Sequence, residues 1–236
     1  MNASKAATIG VALALATTLC RADPQTPPDP SPPPNSVRLG IYYVHFHPDA
    51  TDVTGPGTVP GLNLTLKDLT TLYIAYVRRL SPDFDLELAF GYPPLTETVA
   101  KGPAYVGSVP YNDQVIGTAR WVSPTLLIEY KFLDESARVR PYVGLGVNYT
   151  RFYSRQSTAA GDAVSGGPTS ISLPASVGPA ATAGLSWNIT RHWNLHASYS
   201  VADVHSKLTT TTAGVERSAH IDFWPGTLVV SAGFSF

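Results

Sequence analysis

The chain holds a single cysteine, at position 20, and few charged residues: 14% of 236, with a net charge of −1. One thiol closes no disulfide, which excludes a cross-linked secreted scaffold. So low a charge content is unusual for a soluble surface. No basic stripe runs through the sequence, so it offers no footprint for nucleic acid. Beyond the N-terminal segment there is no apolar run of the ~18–20 residues that a spanning helix needs. Sparse charge without such a run suits a barrel with a lipid-facing belt.

The N-terminal segment has the pattern of an export signal. Lys5 supplies a positive start, and Ala6 to Leu19 is apolar apart from Thr8, Thr17 and Thr18. Cys20-Arg21-Ala22 then sets small residues at the −3 and −1 positions of a cleavage site before Asp23. Lipidation of Cys20 fits less well, because Thr17-Thr18-Leu19 has Thr where a lipobox has Leu, and Leu where it has Gly or Ala. Pro24 to Pro34 carries seven prolines in eleven residues, the composition of an extended spacer. It serves either as a flexible leader or as a periplasmic contact arm. The expected organisation is a signal peptide at 1–22, a proline-rich leader at 23–36 and a barrel at 37–236. Sequons at Asn2, Asn63, Asn148 and Asn188 are chance matches in such a chain.

Period-two alternation bounded by turn residues predicts about eight strands. The first, Val37 to His47, sets Leu39, Ile41 and Tyr43 against Arg38, Gly40 and Tyr42. The second, Asp68 to Leu80, puts Leu72, Ile74 and Tyr76 on one face, and Ser81-Pro82-Asp83 turns it into the third, where Leu86, Leu88, Phe90 and Tyr92 oppose Asp85, Glu87, Ala89 and Gly91. The fourth, about Ala119 to Phe132, sets Leu126, Ile128 and Tyr130 against Leu127, Glu129 and Lys131. In the fifth, Val143, Leu145, Val147 and Tyr149 oppose Tyr142, Gly144, Gly146 and Asn148. The sixth spans Ala180 to Ile189, and in the seventh Trp193, Leu195, Ala197 and Tyr199 oppose Asn194, His196 and Ser198. The last, Ile221 to Phe236, places Leu228, Val230, Ala232, Phe234 and Phe236 on one face, with small or polar residues opposite except Val229.

Connections after strands two, four and six are short. Those after one, three and five are long and rich in Gly, Pro, Thr and Ser, and Leu208 to Ser218 is a shorter fourth. That asymmetry, and strands near the ~9–11 residues needed to cross a bilayer, predict an all-β fold: an eight-stranded antiparallel transmembrane β-barrel of the bacterial outer membrane, in contact with its lipids. Tyr43, Tyr92, Phe132, Tyr149, Trp187, Trp193, Trp224 and Phe236 are the expected interface girdles, with Phe236 also the expected signal to the barrel-assembly machinery.

Pro124-Thr125-Leu126, Tyr130-Lys131-Phe132 and the block from Arg140 to Phe152 resemble the OmpW family, which includes the AlkL proteins; Asp222-Phe223-Trp224 is similar to that family's Asp-Pro-Trp, with Phe223 in place of Pro. The resemblance runs from about Val37 to Phe236. It implies a narrow eight-stranded barrel that takes up small hydrophobic compounds, with sideways release into the membrane. The chain departs from the family in its Pro- and Gly-rich loops and in strand seven, where His196, Ser198, Ser200 and Ala202 include no bulky apolar side chain.

Eight strands leave room for side chains or one small ligand, not a water-filled pore. The inward face holds an apolar set (Tyr42, Val44, Tyr73, Val77, Leu127, Tyr142, Val229), expected to line a ligand pocket toward the long loops. It also holds charges (Arg38, Arg79, Asp85, Glu87, Glu129, Lys131), expected to pair and plug the short-turn end. Small hydrophobic molecules taken up passively are the expected cargo. A plugged structural or adhesive barrel acting through its loops is the alternative.

No enzyme activity is expected. His196-Ala197-Ser198 matches the His-x-Ser arrangement of lipid A deacylases, but the register turns both residues inward and no acid lies near Thr210. His45 and His47 share a face without an evident third metal ligand. No metal and no cofactor are expected.

Overall fold

The computed structural model describes residues 33–236, apart from 48, 59, 104 and 107. The signal peptide and most of the leader expected from the sequence lie outside the described residues. Eight strands form the barrel: β1 (Asn35–Phe46), β2 (Leu69–Arg79), β3 (Phe84–Gly91), β4 (Thr125–Lys131), β5 (Val139–Ser157), β6 (Ser176–Asn188), β7 (Trp193–Ala202) and β8 (Pro225–Ser235). Each pairs antiparallel with its neighbours in sequence, and β1 pairs with β8 from Ser36↔Ser235 to Phe46↔Pro225, so the sheet closes on itself. Closure satisfies every strand edge, which an apolar solvent demands of a spanning sheet.

The alternation fixes which face is which. Leu39, Ile41, Leu72, Ile74, Leu126, Ile128, Val147, Leu228 and Val230 are exposed on the outside, with Leu145 reaching 72%. An uncovered belt of this size would aggregate in water and is stable only against lipid. The girdle aromatics expected from the sequence, from Tyr43 to Phe236, all point outward.

The long-loop end differs from its expected outline. The stretch read as one fourth strand is two hydrogen-bonded runs, Val115–Val122 and β4, parted at Ser123-Pro124 because Pro124 lacks an amide donor. The register nevertheless runs through unchanged: Val122 pairs with Arg151 and Thr125 with Asn148, while Tyr149 N–H bonds Pro124 O at 3.0 Å. Val115–Val122, Leu95–Lys101 and Asn63–Leu66 extend the β5 side of the wall beyond the barrel. Leu208 to Ser218, expected to be a loop, lies instead in a hairpin of His205–Thr212 and Val215–Asp222. Its threonines favour strand, and Ala213 and Gly214 turn at positive φ, 48° and 81°. A short helix, Ala159–Ser165, is capped by the Thr158 side chain, which accepts from Gly161 N.

Candidate functional site

The barrel interior has two parts. Toward the short turns it is ionic. Arg38, 2% exposed, projects from β1 between two small neighbours, Ala75 and Gly233, which leave its long side chain room to cross the lumen. Its Nη1 and Nη2 donate to Glu129 Oε1 and Oε2 at 3.3 and 3.2 Å, and Nη1 also pairs with Glu87. Tyr73 completes the cluster by donating its hydroxyl to Glu87 Oε1 at 2.6 Å. The Arg38 guanidinium lies 5.9 Å from the centre of the Tyr142 ring, within cation–π range. Lys131 pairs with Asp85 and Arg79 with Glu135. Isolated charges in such a lumen would be prohibitively costly; each carboxylate here meets a cation or a hydroxyl donor.

Two members of this half escaped the sequence reading. Glu135 sat in what read only as a polar turn. Arg140, buried at the mouth, bonds Pro82 O at 2.9 Å, Asp83 Oδ1 at 3.1 Å, Phe132 O at 3.2 Å and Leu133 O at 2.8 Å, so it ties two short turns together. Opposite Arg38, His196 Nε2 lies 2.7 Å from Asn194 Oδ1, which can only accept, so the ring donates there. It is buried, and the carboxylate that a His–Ser pair needs is absent from its bonds.

Above this network, toward the long loops, lies a cavity of about 250 Å³. Tyr42, Val44, Tyr73, Leu127 and Val229 of the expected apolar set line it, and Glu87 sits at its floor. Val77 and Tyr142 do not. Val77 borders a small polar cavity of about 60 Å³ nearer the short turns, and Tyr142 packs between Arg38 and His196. Alternation tells inside from outside but not height, and both residues lie at the short-turn ends of β2 and β5.

The upper walls come from residues the sequence did not single out as lumen: Phe46, Leu64, Trp121, Phe152 and Phe223. Edge-to-face pairs set their geometry, with Tyr42 6.4 Å from Tyr73 and Phe46 6.4 Å from Trp121. Trp121 satisfies its polar tip by donating Nε1–H to Thr96 Oγ1 at 2.8 Å. Gly91 is required here, because a Cβ at that position would lie 1.8 Å from the Tyr42 hydroxyl.

At the long-loop rim, Asp68 in the loop before β2 accepts from Tyr43 Oη at 2.5 Å and from Phe46 N–H at 3.1 Å, and lies 2.6 Å from His45 Nδ1. Partial burial acts to raise the Asp68 carboxyl pKa, but these hydrogen bonds and the His45 charge outweigh it and hold the group below the usual carboxylate range. The His45 and His47 rings are 4.2 Å apart at right angles. Among the described residues no group of three His, Cys, Asp or Glu could hold a metal ion.

Three comparisons bear on this geometry. Outer membrane protein W of Salmonella typhi is 33% identical over 121 residues, covering 51% of this chain and 56% of that protein. The dibenzothiophene metabolism operon protein PahQ of Pseudomonas aeruginosa is 26% identical over 123 residues, covering 51% and 53%. The chain thus spans about half the length of the curated relatives it matches. The crystal structure of the outer membrane protein OprG from Pseudomonas aeruginosa superposes with a TM-score of 0.77 at 20% identity, covering 87% of this chain and 97% of that one, which shows the shared fold. The sequence profile of the OmpW family matches residues 36–236, nearly the whole barrel with its long-loop extensions, and the chain therefore belongs to the OmpW family of outer-membrane proteins.

Proposed function

We propose that this barrel binds small hydrophobic molecules, aromatic ones included, in the outward half of its lumen and passes them across the outer membrane without an energy source. The observation that carries this reading is the cavity itself: about 250 Å³, walled by aromatic and aliphatic side chains, and set toward the long loops, which face outside in such barrels. Transfer of an apolar solute into it is favoured by the area removed from water. Similarity to a protein named for a dibenzothiophene metabolism operon is consistent with an apolar aromatic cargo. The Arg38–Glu87–Glu129 network would bar a straight path to the short turns, so cargo would leave through the wall into the bilayer, as the family resemblance implies.

The same network favours a second reading, a plugged barrel that acts through its loops. Uptake of a fluorescent hydrophobic reporter by liposomes with and without the refolded protein separates the two: faster uptake supports passage, and equal rates support the plug. No catalytic role is proposed, given His196 bonded to Asn194. Delivery by the barrel-assembly machinery through the exposed Phe236 belongs to the same proposal.

A further inference from the structure

The outer face of β5 and of the Val115–Val122 run paired with it carries arginines where the apolar belt ends. Along β5 the outward residues are Val143, Leu145, Val147 and Tyr149, followed by Arg151. Arg151 is exposed and has no hydrogen-bond or ion-pair partner among the described residues. Val122 pairs with Arg151 and Arg120 with Tyr153, so Arg120 stands diagonally across from Arg151, with backbones roughly 7–8 Å apart. Arg120 Nη1 is anchored on Pro93 O at 3.0 Å, which fixes the side chain and leaves its other donors available. Arg155, also exposed, lies beyond Arg151 in the bulge between Tyr153 and Gln156, with Nη1 on Leu173 O at 3.1 Å and Phe152 O at 3.5 Å, and so falls outside the alternation that places Arg151 and Arg120. None of the three is paired with a carboxylate among the described residues. Elsewhere toward the long loops most charges are paired, Asp68 with His45, Lys67 with Glu97 and Asp203 with His205, and exposed Lys207 stands apart from the arginines on the hairpin strand His205–Thr212.

We infer that this patch binds a phosphate of the phosphorylated glycolipid, lipid A, of the outer leaflet. A guanidinium presents paired donors that match phosphate oxygens, and Arg151 meets that demand without a competing protein partner. The height is right as well: Tyr149, and Tyr92 at the end of β3, lie on the same outer face and mark the level where acyl chains give way to headgroups. Uncompensated arginines held at that level are drawn to an anionic surface. The inference rests on residence in the outer membrane and not on passage of cargo, so either can fail alone.

The test is retention of lipid A by the full chain in detergent, read by native mass spectrometry, comparing the bisphosphorylated with the dephosphorylated glycolipid. Wild type should retain the bisphosphorylated form selectively. Arg151→Gln should lower that retention about fivefold, and Arg120→Gln by a similar factor. Arg191→Gln, in the short turn at the opposite rim, should leave it unchanged. Arg151 is exposed and unbonded, so its variant should keep the heat-modifiable gel migration of a folded barrel even if Arg120→Gln does not. Wild-type retention by Arg151→Gln overturns the assignment, as does equal retention of the dephosphorylated form. Binding of inorganic phosphate alone to lipid-free wild type, lost in Arg151→Gln and unaccompanied by selective retention of the glycolipid, would also overturn it, in favour of a site for the free anion.

Discussion

Arg38 and Glu129, 91 residues apart in sequence, meet inside the barrel through two parallel hydrogen bonds of 3.3 and 3.2 Å. The pair matters less for what it adds than for what its loss would expose. We predict that Arg38→Met, which leaves Glu87 and Glu129 without their shared cation, destabilises the barrel by about 3–5 kcal/mol. Adding Glu87→Gln and Glu129→Gln should recover most of that loss. Urea unfolding in lipid bilayers measures both, and a single variant as stable as wild type would remove the network from the account of stability.

Trp121 offers an internal reporter. It lines the cavity, whereas the other three tryptophans, Trp187, Trp193 and Trp224, are about half exposed on the outer surface. A quenching aromatic ligand should therefore give a saturable loss of fluorescence that Trp121→Phe abolishes. The non-saturable loss from ligand dissolved in lipid should remain. Saturable quenching that survives in Trp121→Phe would move the binding site out of this cavity.

Leu127 pairs in register with Glu87 at the cavity floor. Leu127→Asp would set a second carboxylate beside Glu87, and any apolar cargo would then have to strip water from it. We expect slower reporter uptake into liposomes with the barrel still heat-modifiable on gels. Unchanged uptake would favour the plugged barrel.

Val230 is 56% exposed near the middle of β8, paired with Ile41 and Ala197. Val230→Arg should cost roughly 2–4 kcal/mol on folding into bilayers if it sits near the midplane. Its neighbour Ser231 faces inward with a hydroxyl that lacks a hydrogen bond among the described residues, so Ser231→Ala should cost little. Equal losses in an unfolding titration would mean that the two faces are wrongly assigned.

The Asp68 clasp should respond to acid. Its folded pKa lies below the unfolded value, so the contribution is present above the ordinary Asp range and fades as pH falls through the folded pKa. The Phe46 amide, which donates to Asp68 Oδ1, should shift in NMR spectra with an apparent midpoint below about 3.9, the ordinary Asp value. Asp68→Asn should flatten that titration. A Phe46 midpoint at or above the ordinary value would contradict the clasp.

Most of the barrel was legible because a strand reports its two faces every second residue. The inward placement of Arg38, Glu87, Glu129, Tyr73 and Val44 follows from that period alone, and closure of β1 on β8 follows from having no tolerable edge in lipid. Height along the strand was not legible, which is why Val77 and Tyr142 were assigned to a cavity they do not line. The upper walls were partly within reach: Trp121 shares the inward parity of Leu127 across Pro124, and Phe152 shares that of Tyr142 and Thr150. So was Phe223, which shares the inward parity of Val229; Leu64 was not, since it enters through Asn63–Leu66, whose pairing with Leu95–Lys101 is non-local. Glu135 was hidden for a different reason, because a carboxylate in a polar turn gives no sign of reaching inward to Arg79.

Pairing of Ser36 with Ser235 joins the first strand to the last. Until β8 is in place, β1–β7 can form only an open sheet, and the entropy of closing nearly the whole barrel is lost in one late step. The order of events is thereby constrained: the rate at which the final strand finds β1 should set how long two unsatisfied edges stay available to other chains, and with it the chance of misassembly.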